Sequence, residues 1–332
     1  MTTPVPRYEL ALIFDCKDGN PNGDPDAGNM PRVDPETLQG LVSDVCQKRK
    51  VRDWVYLSQA EGGKPREGYD IFFGHSGLPD RQILNVQISE AHEASLTGEE
   101  RAKVEKAKDK EKARDDLAKG HVPDARDYLC KTRFDIRAFG AVLSTGRNAG
   151  QVRGPVQCTF ARSVDPILSL EAAITRKSVA TVEDANKQMA KDGSITGTMG
   201  RKNLIPYGLY VSHWFVSPML AAQTGFSTAD FKHLCDALLA MWELDRSASR
   251  GFMATRGLVV FRHQSALGNA RSHQLLERIT VRRKDPVKPP RSFQDYALEL
   301  DRRDLPEGVE VFDLVVPGEY AKLFSPGAAT AA

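Results

Sequence analysis

Asp18-Gly19-Asn20-Pro21-Asn22-Gly23-Asp24-Pro25-Asp26-Ala27-Gly28-Asn29-Met30-Pro31-Arg32 decides how the rest of the chain is read. It follows an apolar and aromatic run, Tyr8 to Asp15, that reads as a first strand, and it precedes a helical pattern opening near Asp34-Pro35-Glu36. Its Gly, Pro, Asn and Asp residues each favour turns for their own backbone reason. A connection this long, with almost no apolar anchor, marks a functional loop rather than a plain link.

Three chemistries compete for that loop. Asp18, Asn20, Asn22 and Gly23 match the opening of an EF-hand calcium loop, but the twelfth position is Asn29 where a bidentate Glu belongs, and the preceding element reads as a strand. Asp24 and Asp26 could serve as nuclease carboxylates, but no His or Glu stands at convincing spacing. The favoured reading is a phosphate- and sugar-facing loop, because backbone N–H groups, Asn amides and a closing Arg32 suit that work. No metal and no cofactor are expected.

Outward from the loop, the chain has 332 residues, 41% of them hydrophobic, enough to bury a core as one large domain with insertions. Forty-six basic and 44 acidic residues leave a net charge of +2, so any nucleic-acid contact must come from local segregation of charge. Cys16, Cys46, Cys130, Cys158 and Cys235 are scattered and form no C-x-x-C pair, which points to reduced thiols and a cytoplasmic setting. No signal peptide and no membrane-spanning run are read.

A first helix is expected from Glu36 to about Leu57, with Leu38, Leu41, Val42 and Val45 on its apolar face and Lys48, Arg49 and Arg52 as phosphate candidates. Tyr69 to Phe73 reads as a short strand, followed by a turn carrying His75. Residues 74–125 form a charged helical insertion, most polar from Gly98 to Lys119. Asp127–Thr132 continues as helix. The turn Asn148-Ala149-Gly150-Gln151-Val152-Arg153-Gly154-Pro155 leads into a strand, Val156 to Phe160, and offers Gln151 and Arg153 to a backbone phosphate.

Residues 167–203 read as a projecting excursion bearing Arg176, Arg201 and Lys202, followed by the strongest strand of the chain, Ile205 to Val216. Tyr210, Ser212 and Trp214 share one of its faces, packed under a helix or open to stack bases. Thr228 to Trp242 is an amphipathic helix capped by Ser227 or Thr228. Arg250 and Arg256 precede a strand, Gly257 to Arg262. A strand within Ser272–Arg283, a linker at Lys284–Arg291, a short helix at Phe293–Leu300, a strand at Val309–Val316 and a disordered tail from Ser325 complete the reading. The element order gives an α+β chain with a ferredoxin-like or RRM-like βαββαβ core and large insertions.

Asn20-Pro21-Asn22-Gly23-Asp24-Pro25 with Asn29-Met30-Pro31-Arg32 resembles the N-terminal signature of the Cascade backbone subunit, the Cas-seven group of the RAMP superfamily, in its type I-C form. Phe139-Gly140-Ala141, the 148–157 block and Pro206-Tyr207-Gly208-Leu209-Tyr210 resemble further blocks of that family in matching order. The resemblance implies an RRM-like palm with finger, web and thumb regions, the thumb falling at 167–203. It implies several copies in a helical filament along one CRISPR RNA, beside other Cascade subunits. A neighbour's thumb would displace a base at regular intervals, and the remaining bases would pair with target DNA. It implies no catalytic site, since a separate helicase-nuclease cuts. A sister branch in type III complexes cleaves RNA with a loop aspartate, so Asp24, Asp26 and Asp34, with His75, His213 and His263, define the alternative: a metal-dependent endoribonuclease.

Overall fold

The computed structural model describes residues 5–74 and 83–325. Its centre is an antiparallel sheet of eight described strands. Along the main path the order is Val309–Asp313, Phe252–His263, Tyr8–Gly19, Thr198–Val216, Ala161–Pro166 and Gln39–Val42. Val156–Cys158 and Leu170–Arg176 pair with other stretches of Thr198–Val216. The first strand sits in the middle: Leu12 faces Ser212 on one side and Leu258 on the other.

Both faces of this strand are covered, so it reads as a continuous apolar run rather than an alternating one. Leu10, Leu12, Phe14 and Cys16 turn toward the main core, and Ala11 and Ile13 toward a smaller cluster on the opposite face. Helices Asp44–Ser58 and Thr228–Leu244 lie against each other over the first face. Phe14 is held between Tyr210 and Trp242, at centroid separations of 5.4 and 4.7 Å, and Tyr8 stacks on Phe231 at 3.9 Å. Tyr210 and Trp214 are therefore core residues. The opposite face is covered by a hairpin, Ile279–Arg283 with Tyr296–Leu300, which brings Ile279, Val281, Tyr296 and Leu298 onto Tyr207 and Leu209.

The long strand Thr198–Val216 has two lives. Its second half is buried in the sheet, while its first half leaves the sheet and pairs with Leu170–Arg176, matching Leu170 to Leu204 and Arg176 to Thr198. At about 3.3 Å per residue it spans roughly 60 Å, so one strand runs from the arm into the centre of the fold. Helix Val182–Asp192 tops the arm and buries none of its residues.

The insertion contains helices Leu84–Ser95, Gly98–Lys106, Lys110–Ala118 and Val122–Thr132. Ile88, Ala91, Ala125 and Leu129 join Phe72, Ile136 and Leu143 in a second core. The two most charged helices bury only Val104 and Ala118.

Several expectations are corrected. The first helix begins at Asp44, not Glu36, because residues 39–42 form an edge strand on Ala161–Pro166. Leu38 has φ +58° and is exposed, as is Val45, so the buried helix face is instead Gln47, Lys50, Val51 and Val55. Residues 69–73 form no strand, only a bridge between Asp70 and Arg133. Residues 293–300 are not a helix: a 3-10 turn Phe293–Asp295 is followed by strand Tyr296–Leu300. The strand expected within Ser272–Arg283 is Ile279–Arg283, and a short helix, Ser272–Leu276, precedes it. The strand from Val156 ends at Cys158, leaving Phe160 half exposed. The loop after the first strand carries its own hairpin, Gly23–Asp24 with Met30–Pro31. His75, and the tail beyond Ser325, lie outside the described residues.

Candidate nucleic-acid interface

The Asn/Gly loop folds on its own side chains. Asp18 and Asn29 adopt positive φ, +51° and +62°, which Asp and Asn tolerate better than most residues. The Asn20 amide donates to the Asn29 carbonyl at 2.7 Å, closing the loop across its base. A Cβ on Gly23 would fall 1.9 Å from Asn29 Oδ1, so this crossing leaves no room for a side chain. Asn22 Oδ1 accepts from both the backbone and the hydroxyl of Ser43, and Ser43 Oγ accepts from Cys46 N as the cap of helix Asp44–Ser58. The loop is thus locked to a helix start.

Two other segments converge on it. Arg250 donates to the carbonyls of Asn20 and Pro21 at 3.2 and 3.1 Å and pairs with Asp245, which also holds Lys50 at 2.6 Å. Lys202, on the arm-forming strand, donates to the Ala248 carbonyl at 2.8 Å, and the Asn203 amide donates to the Gly28 carbonyl at 3.1 Å. Arg32 pairs with Asp24 at 3.3 Å. Asn20, Asn22, Arg32, Lys202 and Arg250 therefore gather where the loop, residues 245–251 and the base of the arm meet. Arg201 stands beyond them on the arm, 3.0 Å from Glu171 and largely exposed, and Arg176 lies at the arm's far end, bonded to Ser178 O and Thr198 Oγ1.

Most of the remaining candidates bond to other groups. Lys48 approaches Asp44 and Gln157, Arg49 pairs with Asp53, and Arg52 donates to the fully buried carboxylate of Asp135 at 2.9 Å. Gln151 and Arg153 are exposed on strand Gln151–Arg153, whose Val152 is buried between them. Arg256 lies beside the loop's root, with Nε donating to Asp15 at 2.9 Å.

Asp15 was missed from sequence. It is buried, and Tyr207 donates to the same oxygen that Arg256 contacts. Burial raises its carboxyl above the usual range, while Arg256 and Tyr207 pull it back. A charged residue at the end of an apolar strand was the only available signal. His213 is half-buried, and burial lowers its pKa. His263 is fully buried against Glu9. Among the described residues no group of three His, Cys, Asp or Glu is placed to hold a metal ion, all five cysteines are free, and no helix is long and apolar enough to cross a membrane.

The family model described as CRISPR-associated protein Cas7 matches residues 6–301. The chain belongs to the CRISPR-associated protein Cas7 family. A relative from Haloferax volcanii, named CRISPR-associated protein Cas7, is 28% identical over 252 residues, which are 70% of this chain and 63% of the relative; the match thus spans less than two thirds of that protein's length. Among solved structures, a chain of a "CRISPR RNA-guided surveillance complex, pre-nicking" is similar with TM-score 0.46 and 15% identity, covering 77% of this chain and 78% of that one. A chain of a "CRISPR RNA-guided surveillance complex" gives 0.41 and 15%, covering 77% and 68%.

Proposed function

We propose that this chain is the RNA-gripping backbone subunit of a type I-C Cascade, with several copies threaded along one CRISPR RNA and holding it for pairing with target DNA. Family membership supports the general role, and the I-C assignment rests on the sequence blocks. The observation that carries the proposal is the junction of the Asn/Gly loop, residues 245–251 and the base of the arm. There, Lys202 and Arg250 donate to backbone carbonyls and Arg32 pairs with Asp24, which gathers three cations beside one loop, and cations suit phosphates rather than base sequence.

The palm is an RRM-like or ferredoxin-like unit. This is supported by the order Phe252–His263, Tyr8–Gly19, Thr198–Val216, Ala161–Pro166, which is 4-1-3-2 in chain order, with the two long helices on one face. The 167–203 arm is the thumb, and the helices of residues 83–132 belong to the finger and web regions. The subunit acts in the cytoplasm beside further Cascade subunits.

Light scattering of the purified protein with and without guide-length RNA tests this. RNA-dependent oligomers whose formation weakens steeply with salt are expected. A protein that stays monomeric with RNA overturns the proposal. The endoribonuclease reading has no observation in its favour: Asp24 is held by Arg32, and Asp34 by Arg162 at 2.6 Å.

A further inference from the structure

Asp245 caps the C-terminal end of helix Thr228–Leu244, where two cations share its carboxylate. Its Oδ2 stands 2.6 Å from Lys50 Nζ and 3.2 Å from Arg250 Nε. Lys50 comes from helix Asp44–Ser58, and its side chain is only 7% exposed, so the ammonium has exchanged most of its water for this carboxylate. Arg250 Nη1 is engaged by the Asn20 and Pro21 carbonyls, whereas Nη2 makes no hydrogen bond among the described residues, and the side chain is 30% exposed. The backbone here is fixed as well. Asn20 N donates to the Ser249 carbonyl at 2.8 Å, and a Cβ on Gly19 would fall 2.0 Å from the Arg250 carbonyl oxygen. One carboxylate between two cations leaves a positive charge at the edge of the Asn/Gly loop for an anion to meet.

Resting on the RNA-binding reading, we infer that Asp245 and Lys50 are positioning residues for that site: together they aim the free Nη2 edge of Arg250 at a single backbone phosphate. Lys50 anchors the carboxylate from the buried side, the carboxylate holds Nε, and the two loop carbonyls hold Nη1. An arginine held at two of its three nitrogens has little rotamer freedom left to lose when the phosphate arrives, so the contact is preorganised. A phosphate carries no base identity, so the contact holds RNA irrespective of sequence. A carboxylate beside a polyanion's path would only repel it if it had no other role, and its removal would then tighten binding. Positioning predicts the opposite.

Fluorescence anisotropy with a labelled oligouridylate of about twelve nucleotides, over a salt series, tests this. Asp245→Asn is isosteric and removes a negative charge. It is expected to weaken binding at least about fivefold and to lower the salt slope by about 0.7, the loss of one single-strand phosphate contact. Arg250→Ala should do the same, and adding Asp245→Asn to it should have no further effect. Unchanged or tighter binding by Asp245→Asn overturns the inference. An equal loss with and without Arg250 also overturns it, because Asp245 would then serve the fold alone. Parental affinity and slope in Arg250→Ala overturn the phosphate contact. Each of these results leaves the RNA reading intact, since the parent protein still binds with salt sensitivity. If the melting curve shows that Asp245→Asn does not fold, Arg250→Lys decides, because it keeps the charge without the fork: a several-fold loss supports the site, and parental affinity overturns it. Failure of the parent protein to bind overturns the RNA reading and this inference together.

Discussion

Arg137 Nη2 donates to Asp230 Oδ1 at 2.7 Å, and Arg137 Nε donates to Oδ2 at 3.1 Å, a two-pronged pair between nearly buried side chains. The other guanidinium donors reach the carbonyls of Cys130, Lys131 and Gly68. Asp230 meanwhile closes the capping box of helix Thr228–Leu244 by accepting from Ser227 N. One ion pair therefore joins the second core, which contains Ile136, to the start of the helix that covers the sheet.

Removing Arg137 strands a buried carboxylate. Arg137→Ala is expected to cost about 3–5 kcal/mol of stability in urea unfolding. Arg137→Lys restores charge but not the planar fork, so it recovers only part of that loss. If Arg137→Ala melts like the parent protein, the two cores are not coupled through this pair.

Gly251 has φ +63°, and a Cβ there would lie 2.4 Å from the Lys17 carbonyl and 2.5 Å from that of Asp18. Both contacts are backbone, so no side chain can swing aside. Gly251→Ala is expected to destabilise by roughly 1–3 kcal/mol and to push residues 245–251 away from the Asn/Gly loop. RNA affinity should fall with it, because Arg250 loses its hold on the Asn20 and Pro21 carbonyls. Thermal unfolding and anisotropy on the same sample check both effects.

His121 links two helices of the charged insertion, with Nε2 at 3.0 Å from Glu100 and Nδ1 at 3.0 Å from Asp124. The Glu100 hydrogen bond, followed by that of Asp124, raises the histidine pKa above 6.5, and Glu100 is held down to about 2. A raised folded-state pKa gives stability that is fully present below the unfolded value and lost as pH rises through the folded one. Hydrogen-exchange protection of helix Gly98–Lys106, corrected for intrinsic rates, should therefore fall as pH climbs from 6.5 through the raised value. His121→Asn should flatten that dependence.

What could be read from sequence follows from which forces are local. Helix Thr228–Leu244 was legible because Ser227, Phe231, Leu234, Leu238 and Met241 combine a cap with 3.6-residue periodicity. Residues 167–203 were expected as an excursion because Ser, Thr, Gly, Lys and Arg dilute their apolar residues. Residues 39–42 were not legible, because their strand pairs with Ala161, Arg162 and Pro166, about 120 residues away in the chain. Residues 296–300 carry an alternation, Tyr296, Leu298, Leu300, that a five-residue window cannot separate from a helix without its partner Ile279–Arg283. The loop's Asn and Arg residues were legible as a polar cluster. Asp15 was not, since its partners Tyr207 and Arg256 stand 192 and 241 residues away in the chain.

Arg52 and Arg153 look alike in sequence, and the fold separates them. Arg52 is nearly buried, paired with fully buried Asp135 at 2.9 Å and lying 5.2 and 5.3 Å from the Phe73 and Phe139 rings. Asp135 also accepts from Phe72 N and Phe73 N, so the pair organises the second core. Arg153 is exposed, with no ion pair among the described residues. Arg52→Ala should cost about 3–5 kcal/mol in urea unfolding, because Asp135 keeps its burial and loses its cation. Arg153→Ala should leave stability within about 0.5 kcal/mol and lower the salt slope of RNA binding by about 0.7, the loss of one single-strand phosphate contact. If both variants shifted only RNA affinity, the buried pair would hold nothing together. If Arg153→Ala left the slope untouched, the turn at 148–155 would lie off the strand's path, and the phosphate contacts would centre on the Asn/Gly loop and the arm.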